Sequence, residues 1–560
     1  MNLVEYLVQR LADADTRVAY GIPGGVILDL LYAMEHSGKV KPCLTYHEQG
    51  AALAACGYAQ ATGGLGVAYA TRGPGFTNLL TGMAEAYQDG TAVLFVTAHA
   101  TKGQHALRRA AQDQEMDTLA LVRSVTKYAS CVDDIAEAQQ AVDEAIALAL
   151  HGRRGPVFLD IRSSLWRMEI DKTATIPTQI ALSDRQKLQA LLNAAQRPIL
   201  LLGDGIHAAR QERAASRLIQ SLAIPTLSSR YSADIAAGLS LYHGYIGSHG
   251  MRYSNYILAK ADMIIALGNR MAYPLQSASF ASMMQHKVIL RFDTDEGELL
   301  RPIPGYVCQT ELREAIEALQ ECHAPKVDNW RNYCHAVHKA LSGQDTTAIT
   351  HEITTILAAV PNDVPIVCDV GNQEFWVSSA YLEAEDKALQ RIFYSKAFGT
   401  LGSALPRAVG VCMGQQKPVL AFVGDQGLQM NSQELQLLAQ HQLPICVVVL
   451  NNHASGMIRC REQQVYAGEY LHTTGTSGYS CPSFQQLAAG YGITWRDSGT
   501  IDWCSLNRLD RPVVTELSVP EDMGITPTLP KGAPCTRMTP PLDETVYQQL
   551  EELEKRYGWK

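Results

Sequence analysis

Short, almost wholly apolar runs alternate along the chain with longer segments whose apolar residues recur at helical spacing. Val18-Ala19-Tyr20, Cys43 to Tyr46, Gly66 to Ala70, Ala92 to Thr97 and Val157 to Ile161 read as strands, and Gln49 to Ala61 and Leu79 to Tyr87 as helices between them. The pattern returns in Pro198 to Gly203, Met263 to Leu267 and Lys287 to Arg291, then again in Pro365 to Cys368, Pro418 to Val423 and Pro444 to Leu450. Strands that are apolar on both faces and separated by helices belong to parallel sheets covered on both sides. The prediction is an α/β protein of three doubly wound parallel-sheet domains, over residues 1–170, 185–325 and 348–522, with 523–560 as a C-terminal tail or lid. Met168 to Ser183, with Pro177, reads as a linker; Cys322 to Asp345 reads as a connection containing a helix. The Pro-rich stretch from Pro520 to Pro541 reads as irregular.

Composition narrows the class. A chain of 560 residues exceeds what one hydrophobic core supports, and 47% apolar with 18% charged residues is the balance of a folded protein. A net charge of −9 excludes a general nucleic-acid binder, which needs a basic excess to neutralise phosphates. No apolar run reaches the roughly 18 residues of a membrane span. Met1 to Arg17 lacks a signal-peptide core, and the 13 cysteines lack metal-ligand spacing. The expectation is a cytoplasmic protein with reduced thiols and no membrane partner.

The chemistry concentrates in Val423-Gly424-Asp425-Gln426-Gly427 and Leu450-Asn451-Asn452. Alone, a Gly-Asp pair is an ordinary strand-helix turn, with Asp425 capping a local turn or the helix expected over Ser432 to His441. Asn452 follows 27 residues later, the length of one βαβ unit, which puts both side chains at the carboxyl ends of neighbouring parallel strands. A carboxylate, an amide oxygen and a nearby carbonyl are hard ligands suited to Mg²⁺ that also holds a diphosphate. Gly424 and Gly427 let backbone amides approach the phosphates.

These residues resemble the thiamine-diphosphate-dependent enzymes, and most closely their acetolactate-synthase-like group. The family's metal motif is Gly-Asp-Gly followed by a double Asn; here Gln426 stands at its third position. Gly21-Ile22-Pro23-Gly24-Gly25 resembles the opening Pro-Gly-Gly loop, His47-Glu48-Gln49-Gly50-Ala51 the catalytic-glutamate motif, and Thr71 to Asn78 the Thr-Ser-Gly-Pro-Gly-x-Thr-Asn stretch. Phe398 to Pro406 matches the loop before the metal motif. The resemblance implies thiamine diphosphate and Mg²⁺, the metal held by Asp425, Asn452 and the Ala454 carbonyl. It makes Glu48 the carboxylate bonded to the pyrimidine N1′, favouring the imino tautomer whose amino nitrogen takes the C2 proton. A Glu at that place in any other chain would be an ordinary helix-start acid. Pro23, Asn372, Gln373, Gly399, Gly424, Gln426, Gly427, Gly456, Met457 and Ile458 become cofactor contacts, and Leu401 the apolar prop beneath the bent cofactor. Gly25 joins Glu48 in the catalytic cleft, with Gln114 as the pocket Gln, although Gln112 is an alternative. Family members build each site from two chains, so a homodimer is the minimum and a tetramer is an alternative.

Departures from the family pattern bear on the reaction. The family's substrate-selecting Trp falls at Arg461, its Ser at Arg72, and its active-site Lys near Arg162-Ser163. With Lys102, Arg108 and Arg109 these add cations, which bind carboxylates and phosphates. The expectation is decarboxylation of a 2-oxoacid, pyruvate first, with carboligation onto an anionic acceptor such as a nucleotide-linked keto-sugar. The alternatives are acetolactate synthase proper, a simple decarboxylase with His99 or His105 as proton donor, and a non-catalytic scaffold. Gly203-Asp204-Gly205, Gly247 to Gly250 and Gly268-Asn269-Arg270 match glycine loops of the flavin-holding domain, leaving FAD open.

Overall fold

The computed structural model describes residues 1–100, 114, 116–169, 185–271, 275, 280, 283–284, 286–295, 299, 303, 305–384, 387, 389–396, 398–530 and 532–558. It contains three six-stranded sheets, and their named strands pair in parallel. By contact the chain divides into two units, one of Met1–Thr178, Asp363–Glu374 and Ile392–Met523, the other of Gln179–Asn362, Phe375–Arg391 and Gly524–Lys560.

The first unit holds two sheets. One is built from β1 (Val18–Gly21), β2 (Lys41–Leu44), β3 (Gly66–Tyr69), β4 (Val93–His99), β5 (Tyr128–Val132) and β6 (Val157–Arg162), ordered β2-β1-β3-β4-β6-β5. The other follows much later in the chain. To keep the numbering in chain order, the second unit's strands come next: β7 (Pro198–Leu202), β8 (Thr226–Ser228), β9 (Tyr242–Tyr245), β10 (Met263–Leu267), β11 (Val288–Asp293) and β12 (Tyr306–Gln309), ordered β12-β11-β10-β7-β8-β9. The first unit's second sheet comprises β13 (Ile366–Cys368), β14 (Ile392–Tyr394), β15 (Val419–Gly424), β16 (Ile445–Asn451), β17 (Thr494–Trp495) and β18 (Val513–Ser518), ordered β14-β13-β15-β16-β18-β17. Every residue of β4, β15 and β16 is buried, as central strands covered on both faces must be.

Two helices join the sheets of the first unit. Glu48–Thr62 packs along Ala404–Gln415, with Ala54 and Tyr58 of the first helix against Gly410 of the second and Gly57 against the Arg407 backbone. A Cβ on Gly410 would strike the Ala54 carbonyl, and one on Gly57 the Arg407 carbonyl, so the axes approach too closely for any larger residue. Beside this seam the fully buried Arg407 guanidinium pairs with the Glu85 carboxylate and donates to Gln60 Oε1 at 2.8 Å. Ser395 Oγ donates to the other Glu85 oxygen at 3.1 Å.

Some boundaries differ from the sequence reading. The second strand ends at Leu44, and the helix after it starts at Glu48 because the His47 ring accepts from the Gln49 amide at 3.1 Å. The helix expected over Ser432 to His441 is a 3₁₀ turn, Ser432–Glu434, followed by Leu435–His441. A helix the sequence reading did not include, Asp425–Met430, follows β15 directly. It stops where Asn431 leaves helical backbone and donates from Nδ2 to the Gly402 carbonyl at 2.9 Å. Among the described residues from Pro520 to Pro541 there is no helix and no strand beyond the isolated bridge Thr528–Thr539, as expected for an irregular stretch. The tail is not a free lid, however: in the second unit Cys535 and Leu550 join the core, Met538 is buried, and the helix Glu544–Tyr557 packs on Asp328–Leu341. Residues 170–184, most of the expected linker, lie outside the described residues.

Arg407→Ala should strand Glu85 as a buried uncompensated charge, at about 3–5 kcal/mol. Gly410→Ala should force the helices apart, at about 1–3 kcal/mol. Urea denaturation of the first unit's transition checks both, and a wild-type-like midpoint in either variant refutes the corresponding contact.

Candidate active site

Parallel register delivers the two candidate metal ligands together. Gly424 pairs with Leu450 across β15 and β16, so Asp425 and Asn452 emerge just beyond adjacent strand ends, 3% and 6% exposed. A Cβ on Gly456 would lie 2.5 Å from Asn452 Nδ2 and 3.1 Å from Asn372 Nδ2; one on Gly424 would lie 3.1 Å from Gln373 Nε2. Asn372, Gln373, Gly424, Asp425, Asn452 and Gly456 therefore converge on one spot. Gln426 accepts from Ser455 Oγ at 2.8 Å and ties the Gly424–Gly427 turn to the loop before the helix Gly456–Val465. Met457 is half-buried and Ile458 exposed on that helix.

The donor set fits a divalent cation with a diphosphate. Asp425 Oδ2, Asn372 Oδ1, Thr400 Oγ1 and Ser403 Oγ are buried with no hydrogen-bond partner, each a costly state unless a ligand completes it. Burial pushes the Asp425 carboxyl above its ordinary value; the Tyr479 phenol and the amides of Gln426 and Ala454 oppose this. A buried carboxylate short of partners is a natural cation ligand.

The loop before the Ala404–Gln415 helix is held from below. Gly399 and Gly402 have φ of 67° and 82°. The Gly402 amide donates to both Asp369 oxygens at 3.1 Å, and the Thr400 amide to Ser395 Oγ at 2.8 Å. Leu401 is half-buried, its Cδ1 3.6 Å from where a Cβ on Gly427 would stand. A Cβ on Gly399 would meet nothing within 4 Å, so the loop's crest borders open space. Burial raises the Asp369 carboxyl to about 7 despite the amides of Val370, Gly402, Ser403 and Ala404.

Glu48 opens its helix, 9% exposed, and accepts from Asn78 Nδ2 at 2.9 Å. Glu434, wholly buried, accepts from the Tyr46 amide at 3.3 Å and so braces the turn that carries Glu48. Pro23 and Gly25 are exposed on the loop after β1. Gln114 is exposed with φ of 66° and packs against Gly73, next to half-buried Arg72. Arg461 is exposed on the Gly456–Val465 helix. Among the described residues, no hydrogen bond within one chain joins Glu48 to the Asp425 group. Lys102, His105, Arg108, Arg109, Gln112 and Glu115 lie outside the described residues.

Asn78, Asp369, Glu434 and Tyr479 escaped the sequence reading, whereas Ser455 opens the run Ser455-Gly456-Met457-Ile458 that it expected to cover the diphosphate and pyrimidine. Asn78 lay inside a quoted motif, and Asp369 is a carboxylate ending an apolar run; the other two carried no local signal. His99 is buried between Asp160 and Asp133. In the second unit, the Gly203 and Gly205 amides donate to the Leu267 and Gly268 carbonyls at 2.9 and 3.0 Å. A Cβ on Gly205 would lie 2.8 Å from Gly268 Cα, so close backbone packing alone accounts for these glycines.

A Glu at a helix start, a glycine loop carrying Leu401, and a buried Asp-Asn pair on adjacent strands suit a diphosphate cofactor. Family comparisons agree. Residues 1–121 match the thiamine pyrophosphate enzyme N-terminal TPP binding domain, 185–319 the central domain, and 369–502 the C-terminal TPP binding domain. The chain is 29% identical to the acetolactate synthase isozyme 2 large subunit of Escherichia coli (strain K12), over 96% of this chain and 99% of that protein. It is 30% identical to the acetolactate synthase large subunit of Porphyra purpurea, over 85% and 83%. The chain belongs to the thiamine-pyrophosphate-dependent enzymes, in their acetolactate-synthase-like group. Among the described residues, no helix is long and apolar enough to cross a membrane.

Asp425→Asn should leave the cofactor-free protein as stable as wild type or more so, because it removes a buried charge. Thiamine diphosphate affinity with Mg²⁺ should fall at least tenfold, and unchanged binding by calorimetry would sink the metal assignment. The folded Asp369 carboxyl lies above its ordinary 3.8, near 7, so the folded chain keeps a proton that the unfolded chain releases. Its contribution to stability is therefore greatest at low pH and declines as pH rises from 3.8 toward 7. Asp369→Asn should flatten that part of the melting-temperature profile of the cofactor-free protein.

Proposed function

We propose that the chain decarboxylates a 2-oxoacid, pyruvate foremost, and joins the remaining acyl unit to an acceptor. The observation that carries this is the buried Asp425 Oδ2 and Asn372 Oδ1, both without partners, beside Asn452 at two adjacent strand ends. Asp425, Asn452 and the Ala454 carbonyl would hold Mg²⁺. Asn372, Gln373, Gly424, Gln426, Gly427 and Gly456 would hold the diphosphate, and Gly399, Met457, Ile458 and Pro23 the pyrimidine end, with Leu401 as the prop beneath the bend. Thiamine diphosphate, when bound, supplies the electron sink that makes decarboxylation feasible. Glu48 would keep a proton at pyrimidine N1′, and Asn78 orients its carboxylate. Gly25 and Gln114 would line the substrate side.

The acceptor reading rests on Arg72 and Arg461, cations suited to a phosphate or carboxylate, such as that of a nucleotide-linked keto-sugar. The names of the relatives favour a second reading, acetolactate synthesis from two pyruvates. For a simple decarboxylase, His99 is a poor proton donor because two carboxylates hold it, and His105, the other candidate, lies outside the described residues. A homodimer is supported by apolar side chains left exposed around the cofactor loops, Phe398 at 43%, Met430 at 51% and Ile458 at 53%. FAD in the central domain, a tetramer and a cytoplasmic location remain parts of the proposal to be tested separately. Product analysis with thiamine diphosphate, Mg²⁺ and a panel of 2-oxoacids, with and without phosphorylated acceptors, decides between the readings.

Glu48→Gln should bind cofactor almost normally yet slow C2 deuterium exchange by orders of magnitude; wild-type exchange would refute its role. Arg72→Ala or Arg461→Ala should each remove about 1.5–3 kcal/mol of acceptor binding, raising the acceptor KM about ten- to a hundredfold. Donor decarboxylation without acceptor should be unaffected. Unchanged acceptor kinetics in both variants would leave acetolactate synthesis as the better reading.

A further inference from the structure

Tyr479 approaches the Asp425 carboxylate from a segment of its own, after the helix Gly456–Val465. That segment is fastened on both sides of Tyr479. On the near side Glu462, buried on the helix, accepts from the Leu471 amide at 3.0 Å and from Thr473 Oγ1 at 2.5 Å. The Thr473 carbonyl accepts from the Ser455 amide at 2.9 Å, and the Thr474 carbonyl from the Tyr479 amide at 2.9 Å. On the far side Cys481 Sγ lies 3.2 Å from His453 Nδ1 and 3.7 Å from Asn451 Oδ1, at the close of β16. The phenol is therefore carried to Asp425 by contacts that do not involve Asp425.

The two groups feel each other. Burial and then the Asp425 charge push the phenol above its ordinary value, and the phenol is the strongest influence opposing the burial of that charge. Yet Tyr479 Oη and Asp425 Oδ2 are both buried, and neither completes a hydrogen bond. Gln429 Nε2, one helical turn beyond Asp425, donates to the Asp425 backbone carbonyl at 3.2 Å, so it anchors the residue and not its carboxylate. A buried donor beside a buried acceptor, unjoined, is unfavourable by itself. It becomes useful where the carboxylate must settle on a cation. Carboxylates that bind metals are themselves hydrogen-bonded by an outer partner, which fixes the oxygen turned to the ion. A hydroxyl suits that task better than an ammonium or guanidinium group, because it orients the carboxylate and leaves its charge for the cation.

We propose that Tyr479 is a positioning residue for Asp425, its hydroxyl donating to the carboxylate and setting the oxygen that takes the divalent cation. The proposal rests on the reading of Asp425 as a metal ligand and adds the residue that orients it. Tyr479 itself touches neither metal nor substrate in this role.

Tyr479→Phe in the full-length protein keeps the ring and removes only the donor. With thiamine diphosphate in excess, Mg²⁺ affinity measured by calorimetry should fall about ten- to a hundredfold. The cofactor-free variant should melt at the wild-type temperature or above it, because the hydroxyl it lacks has no partner there. A phenol with a merely structural role gives the opposite pair of results, a lower melting temperature with Mg²⁺ affinity unchanged. Either half of that pair overturns the proposal. Asp425→Asn, measured alongside, tells two failures apart. If Asp425→Asn binds Mg²⁺ and cofactor as wild type does, the metal reading fails and the role of Tyr479 fails with it. If Asp425→Asn loses affinity while Tyr479→Phe retains the wild-type value, the metal reading stands and only the positioning role is overturned.

Discussion

The close seam between the helices Glu48–Thr62 and Ala404–Gln415 is the constraint on which the first unit depends. The carboxylate at the start of the first helix and the Gly399–Ser403 loop at the start of the second are both positioned by how these helices meet. Gly57 and Gly410 stand in the contact, so the helix backbones are almost in touch and neither helix can slide without a clash. The Arg407–Glu85 pair lies beside the seam in a water-free setting, where its geometry must be right or its burial is a penalty. Packing and electrostatics therefore restrain the same two helices.

The turn at Asp425 and its neighbours show the opposite logic. Most buried polar groups in a folded chain find partners, yet Asp425 Oδ2, Asn372 Oδ1, Thr400 Oγ1 and Ser403 Oγ do not. The chain tolerates this because rigid neighbours hold each group: strand ends fix Asp425 and Asn452, and Asp369 grips the Gly402 amide. Groups left unsatisfied in the free protein are then ready to take up a ligand without first breaking internal bonds.

Gln426 illustrates how one departure from a family pattern is absorbed. A side chain at the third position of a Gly-Asp turn could have crowded the turn. Here it turns to Ser455 Oγ, and the turn stays compact. Arg72 and Arg461 were legible as unusual cations; the structure leaves Arg72 half-buried beside Gly73 and Arg461 exposed on the Gly456–Val465 helix.

Much was legible in the sequence alone. Alternating apolar strands and helices gave the three parallel sheets, because strands buried on both faces need continuous apolar runs. The 27-residue step from Asp425 to Asn452 gave adjacent strand ends, because a βαβ unit has that length. Tertiary structure alone decided which polar groups met. Asn78 reaches Glu48 across 30 residues, Asp369 reaches Gly402 across 33, and Cys131 lies beside His99 only because β6 is inserted between β4 and β5 in the sheet. The short-range pattern specifies each element from its own burial, but hydrogen-bond partners distant in sequence depend on strand order and register, which only the folded chain contains.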